Sequence, residues 1–211
     1  EAGQDVWGAY AAWGVIIGVG AAGGPPLADG LAIAFDSSAP TGGDWDLGTP
    51  NASFGGPGQG AGGAAGGPGV NDVALGNVLI SAENDIDANG DGLVDNPDDE
   101  ASGAWFGIAF ATATCVTSFD LVDIEANEDV RVVLLDAYGE VLDEVLTAGL
   151  GNNSVATIDL GTCGVSEMII QLTRHADPFI NYLDQVTAVA CCKFHFLIDL
   201  SNGSANLFGR I

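Results

Sequence analysis

The chain has 211 residues, of which 29 are Asp or Glu and only 4 are Lys or Arg, giving a formal net charge of −25. That balance excludes a basic nucleic-acid-binding face and makes anionic membrane surfaces poor partners. With 47% hydrophobic residues and a mean hydropathy of +0.30, the composition is that of a chain with a core, long enough for one large domain or a domain with an arm.

The first predicted element lies in a stretch without charge from Val6 to Ala28. Its length permits a membrane helix, but Gly8, Gly14, Gly18 and Gly20, the Pro25-Pro26 pair and the lack of a basic flank argue against one. A glycine-punctuated strand, WGVIIGVGA, is expected instead, within an apolar N-terminal arm over residues 1–28. Its apolar residues fall on both faces, so it needs cover on both sides. The sequence opens on Glu1 without a basic, apolar leader and reads as a mature chain whose export signal has been removed.

Residues 29–211 are expected to form one all-β domain of the β-sandwich or jelly-roll kind. Short β-like runs follow one another: LAIAF (31–35), NVLIS (77–81), WFGIAFAT (105–112), TSFDLVDI (117–124), VRVVLLD (130–136), GEVLDEVL (139–146), SVATIDL (154–160), SEMIIQL (166–172) and TAVACCKFHFLIDL (187–200). DAYG at 136–139 predicts a hairpin, and no long helical period competes. Between the first two of these runs lies an insertion that is almost pure Gly, Ala and Pro over about 55–70. Ordering such a tract costs about 1–2 kcal/mol of backbone entropy per residue. Close packing against neighbouring subunits is the expected offset.

The acidic run DIDANGDGLVDNPDDE, residues 85–100, carries a metal-loop pattern. Counted from Asp87, oxygen-bearing side chains stand at positions one (Asp87), three (Asn89), five (Asp91), nine (Asp95) and twelve (Asp98), with Gly92 at six and the Leu93 carbonyl at seven. Calcium takes six to eight oxygens at about 2.3–2.6 Å, and alternate residues of a tight loop can all turn inward toward it. Position twelve is Asp where an EF-hand has Glu, and both flanks read as strand. A calcium loop between strands is therefore expected, with Ca2+ as the bound ion.

Four cysteines, Cys115, Cys163, Cys191 and Cys192, lack the spacings of zinc or redox sites and allow three pairings. Bonding between the adjacent Cys191 and Cys192 is strained, so Cys115 and Cys163 are each expected to join one of that pair, in an oxidising compartment. Sequons occur at Asn51, Asn152 and Asn202. His175 and His195 come without a nucleophile or metal motif, and the carboxylate pairs Asp98 with Glu100 and Asp120 with Asp123 are unremarkable in so acidic a chain. A non-enzyme is expected.

The stretches FDSSAPTGGDWDLGTPN, LGNVLISAENDIDANGDGLVDNPDDEASGAWFGIAF, VVLLDAYGEVL and GLGNNSVATIDL resemble exported bacterial β-sandwich proteins, some of which carry PEP-CTERM-type sorting tails. The resemblance covers roughly Leu31 to Leu172 and implies a secreted, calcium-dependent domain, with Asp36, Asp44 and Asp46 as further ligands. Both ends depart from it. The apolar arm and the cysteine-bearing final run resemble subunits of extracellular fibres that complete each other's sheets by strand donation. The expected function is a secreted structural subunit that self-assembles with copies of itself into a filament or tube. The alternative is a calcium-dependent carbohydrate-binding module, with Trp45 or Trp105 stacking on a glycan.

Overall fold

A computed structural model of the chain describes residues 1–21, 31–100 and 104–174. Within them run seven strands: β1 (Val15–Ala21), β2 (Ala32–Asp36), β3 (Asn77–Ser81), β4 (Ala104–Val122), β5 (Glu128–Leu135), β6 (Val141–Ala148) and β7 (Val155–Arg174). Among the described residues helix is confined to three single 3-10 turns. The larger sheet has the order β1-β4-β7-β5-β6 and the smaller joins β2 to β3, with every neighbouring pair antiparallel.

The two sheets face each other across one core, which makes the chain an all-β sandwich. Ala32 and Leu79 of the small sheet meet Val15, Ile17, Phe106, Phe119, Val132 and Met168 of the large one. Period-two alternation decides which side chains enter: Val130, Val132 and Leu134 of β5 point into this core. Val133 and Leu135, on the other face, form a second cluster with Trp105 and Ile169.

The described part of the N-terminal segment is built into this same domain. Residues 3–6 run beside β2, where the Gly3 amide donates to the Ala34 carbonyl at 2.8 Å and the Val6 amide to Ala32 at 2.8 Å. After a single turn at Ala11–Trp13, β1 joins the large sheet in a register that sets Val15 opposite Phe110 and Val19 opposite Phe106. Cover on both sides of the apolar strand is thus supplied from within the chain: Val15, Ile17 and Val19 lie in the core, and Trp105 packs over Gly20 on the other face.

Two further expectations change. The separate runs 105–112 and 117–124 belong to the one strand β4, and 154–160 and 166–172 to the one strand β7. Register shifts between Ala109 and Ser118 act as β-bulges that bend the pair without ending it, which a period reading takes for two strands. Cys115 and Cys163 are bonded to each other, not to Cys191 and Cys192. They are cross-strand partners in the β4–β7 register, so their Cβ atoms are already neighbours. Cys191, Cys192, His175, His195, Asn202 and the run 187–200 lie outside the described residues.

The glycine-rich tract is ordered by its own chain. Added Cβ atoms would collide with Asn152 at Gly60, with Gly151 at Gly62, with Asn153 at Gly63 and with Ser154 at Gly69, so its backbone lies directly on the turn before β7. The Gly62 amide donates to the Asn152 carbonyl at 2.9 Å and the Val155 amide to Gly69 at 2.9 Å. Three buried asparagines tie the tract down. Asn51 Nδ2 donates to Asn153 Oδ1 at 2.6 Å and to the Gly60 carbonyl at 2.8 Å. Asn71 Nδ2 reaches the carbonyls of Gly48 and Asn153, and Asn153 Nδ2 those of Asp46 and Gly48. Closeness of this kind requires glycine, and these contacts within the chain offset part of the ordering entropy.

Candidate metal centre

The loop after β3 wraps its own amides around a carboxylate. Asp87 Oδ1 accepts from the amides of Gly90 at 2.7 Å and Asp91 at 3.1 Å, and Asp87 Oδ2 from Gly92 at 2.8 Å. Asn89 Oδ1 accepts from the Asp91 amide at 2.8 Å, Asp91 Oδ1 from the Leu93 amide at 3.0 Å, and Asp95 Oδ2 from the Ala88 amide at 2.8 Å. Asn89 Nδ2 closes the ring on Asp95 Oδ1 at 3.0 Å. Gly90 at φ +74° and Gly92 at φ +86° supply the left-handed turns this winding needs. The Val94 amide, bonded to the Gly3 carbonyl at 2.8 Å, anchors the loop to the N-terminal segment.

Asp98, the twelfth position, joins a different group. Asp44, Asp98 and Asp99 each offer a carboxylate oxygen, and these oxygens lie within 4.8 Å of one another. Among the described residues no other trio of His, Cys, Asp or Glu ligand atoms comes so close. Asp44 and Asp99 are buried and Asp98 is half-buried.

Backbone pairing builds the trio. Residues 98–100 continue alongside the end of β3, with the Glu83 amide donating to the Asp98 carbonyl at 2.9 Å and the Glu100 amide to Ser81 at 2.7 Å. The loop before Asp44 folds over this segment. Thr41 Oγ1 donates to the Pro97 carbonyl at 2.8 Å, and the Asp99 amide donates to Asp44 Oδ2 at 3.0 Å. Gly42, at φ +68°, lies so close that a Cβ would sit 2.7 Å from that of Asp98.

Three ionised carboxylates at that separation repel by about 3 kcal/mol per pair at an effective dielectric of about 20. An all-oxygen donor set suits a hard cation such as Ca2+ or Mg2+, not a thiophilic metal, and a divalent ion between the carboxylates turns repulsion into attraction.

The other acids expected as ligands have local partners. Asp36 Oδ1 accepts from the Ser38 amide at 2.9 Å and its hydroxyl at 2.6 Å, capping the turn after β2. Asp46 Oδ2 accepts from Asn152 Nδ2 at 3.5 Å, beside the asparagine knot. Of the three acids implied by the TGGDWDLG resemblance, then, Asp44 alone enters the trio. Asp99 was missed because position counting selects Asp98. The doubled acid in NPDDE was the available signal. Asp120 accepts from Thr157 Oγ1 at 2.6 Å, and Asp123 accepts from the Asn153 amide, so both serve the sandwich. Trp105 is core, whereas Trp45, next to Asp44, is 50% exposed.

No family model matches the chain, and neither does any curated protein sequence. Among the solved structures that show a partial likeness are two lectin domains. One is a histidine mutant of the lectin binding domain of Lectinolysin complexed with Lewis b: TM-score 0.32, 10% identity, 44% of this chain and 61% of that one covered. The other is the lectin domain of Lectinolysin complexed with Lewis B antigen: TM-score 0.29, 14% identity, 36% of this chain and 60% of that one. The matched part spans less than two thirds of either domain, and likeness at this level carries no argument about activity.

Proposed function

We propose that the chain is a secreted structural subunit whose loops are clamped by calcium and whose copies assemble into a filament by exchanging β1. One observation supports the assembly: among the described residues β1 is the first strand, stands at a sheet edge with β4 as its partner, and yet sinks Val15, Ile17 and Val19 into the core. The same ladder and pockets can be filled by β1 of a neighbouring copy, and a head-to-tail exchange of that kind does not close on itself. Calcium fits the acidic loop and the Asp44, Asp98 and Asp99 trio, holding together segments that otherwise repel. The disulfide and the resemblance to exported calcium-dependent β-sandwich proteins accord with an extracellular site of action.

Cysteines placed at cross-strand partners Ile16 and Ala109, with Cys191 and Cys192 changed to Ser, test the exchange. A ladder of covalent oligomers on a non-reducing gel is the expected result; cross-linked monomer alone would overturn it.

The exposed indole of Trp45 beside Asp44 favours a second reading, calcium-dependent glycan binding, because an aromatic face can stack on a sugar. Glycan-array binding that disappears with both chelator and Trp45→Ala would put this reading first.

A further inference from the structure

Asn89 and Gly90 are adjacent and exposed at the tip of the acidic loop. An Asn followed by Gly is open to ring closure on itself, because no Cβ shields the glycine nitrogen from the Asn side-chain carbon. In the folded loop both reacting groups are engaged. The Gly90 amide points its proton at Asp87 Oδ1, while the Asn89 amide group is fixed on one side by the Asp91 amide and on the other by Asp95 Oδ1. The surrounding carboxylates also oppose loss of the Gly90 proton, since that would place another negative charge among them.

We propose that Asn89 is a spontaneous deamidation site whose rate is governed by opening of this loop. If the calcium reading above holds, that rate is also governed by calcium. In the opened loop the Gly90 nitrogen loses its proton and attacks Cγ of Asn89. The new N–Cγ bond forms as the Cγ–Nδ2 bond breaks, and Nδ2 leaves with that proton as ammonia. Water then opens the succinimide at either carbonyl, giving aspartate or isoaspartate at position 89. Aspartate keeps an oxygen at the third loop position and adds a charge. Isoaspartate lengthens the backbone by one carbon, which destroys the alternation that turns positions one, three and five inward. The reaction consumes only water, and it makes the loop a one-way recorder of time spent open.

The test is to incubate the full chain at mildly alkaline pH in calcium, in EGTA and in urea, and to follow isoaspartate in the peptide containing Asn89 by mass spectrometry. The peptide with Asn202–Gly203 is followed separately, Asn89→Gln confirms the assignment, and calorimetry on the same samples records calcium binding. Urea should be fastest and calcium slowest. A native rate in EGTA about tenfold below urea corresponds to about 1.4 kcal/mol of loop closure, and a similar further drop is expected in calcium. Equal rates in EGTA and urea would overturn the protective role of the hydrogen bonds. Equal rates in calcium and EGTA despite measured binding would overturn the coupling to calcium. If calorimetry shows no binding, the calcium reading fails by itself, and the comparison of EGTA with urea still decides whether the loop governs Asn89.

Discussion

Two loops of this sandwich solve opposite problems. The tract from Gly55 to Gly69 has almost no side chains, and its difficulty is entropy; the loop from Asp85 to Asp95 has too many like charges, and its difficulty is repulsion. The first is held by buried neutral amides and by backbone lying on backbone, so its stability is internal and insensitive to salt. The second is exposed and held by carboxylates that accept its own amides, which leaves the net charge in place. A loop of the first kind needs nothing from solution, whereas a loop of the second kind depends on which ions the solution contains.

The strongest way to break this contrast is at Asn153, whose side chain makes three of the knot's hydrogen bonds in a fully buried site. Asn153→Ala removes the amide that donates to the Asp46 and Gly48 carbonyls and accepts from Asn51, and it places Ala at φ +60°, so urea unfolding should show a loss of more than about 3 kcal/mol. Asn89→Ala in the exposed loop should cost less than about 1 kcal/mol by the same measurement without calcium.

Chelation addresses the other loop. At calcium a hundredfold above Kd, binding adds about 2.7 kcal/mol, so EGTA should lower the thermal midpoint of the wild type and shift less the variants that lose one carboxylate of each site, Asp87→Asn in the loop and Asp44→Asn in the trio. A melting curve unmoved by EGTA would remove calcium from both acidic sites.

Within the glycine tract a finer contrast is available. A Cβ at Gly63 would overlap the Asn153 carbonyl, whereas at Gly67 the nearest atom is 3.3 Å away. Gly63→Ala should cost about 1–3 kcal/mol, while Gly67→Ala should be near neutral because it also reduces unfolded-chain entropy. Equal effects would mean that the tract is not packed as described.

The smallest expected effect concerns a half-buried acid outside both loops. Burial raises the pKa of Glu167 above the ordinary Glu range. Its stabilising contribution is therefore complete below the unfolded-state pKa and is lost as pH rises through the raised folded-state value. Glu167→Gln should flatten the stability curve on the mildly acid side and alter stability at neutral pH by less than about 1 kcal/mol. Glu144 works in the opposite sense: a 2.8 Å hydrogen bond from Arg131 lowers its pKa, so its small contribution fades as pH falls through the folded-state value.

Much of the fold was legible because alternation is a local property. The runs 31–35, 77–81 and 130–136 correspond to β2, β3 and β5, and DAYG forms the turn between β5 and β6, where the Gly139 amide donates to the Asp136 carbonyl at 3.1 Å. What escaped was set by contacts distant in sequence. That β4 and β7 are continuous depends on pairing across a bulge, and that Cys115 faces Cys163 depends on the register of that pairing. The acidic loop was readable from its spacing, since Asp87, Asn89, Asp91 and Asp95 do share one hydrogen-bonded ring. The trio was not, because Asp44 and Asp98 meet only once residues 98–100 are laid beside β3.

Trp105 lies across Gly20 of β1 and is only 4% exposed, while Trp13 and Trp45 are already 60% and 50% exposed. Peeling the first strand away would wet an indole that is now dry, shifting its fluorescence toward the red; Trp7, half-buried in the segment leading into β1, is changed to Phe so that the two exposed indoles form the background. The leading strand therefore carries its own optical gauge of whether it is seated, readable in dilute solution and in real time without any attached dye.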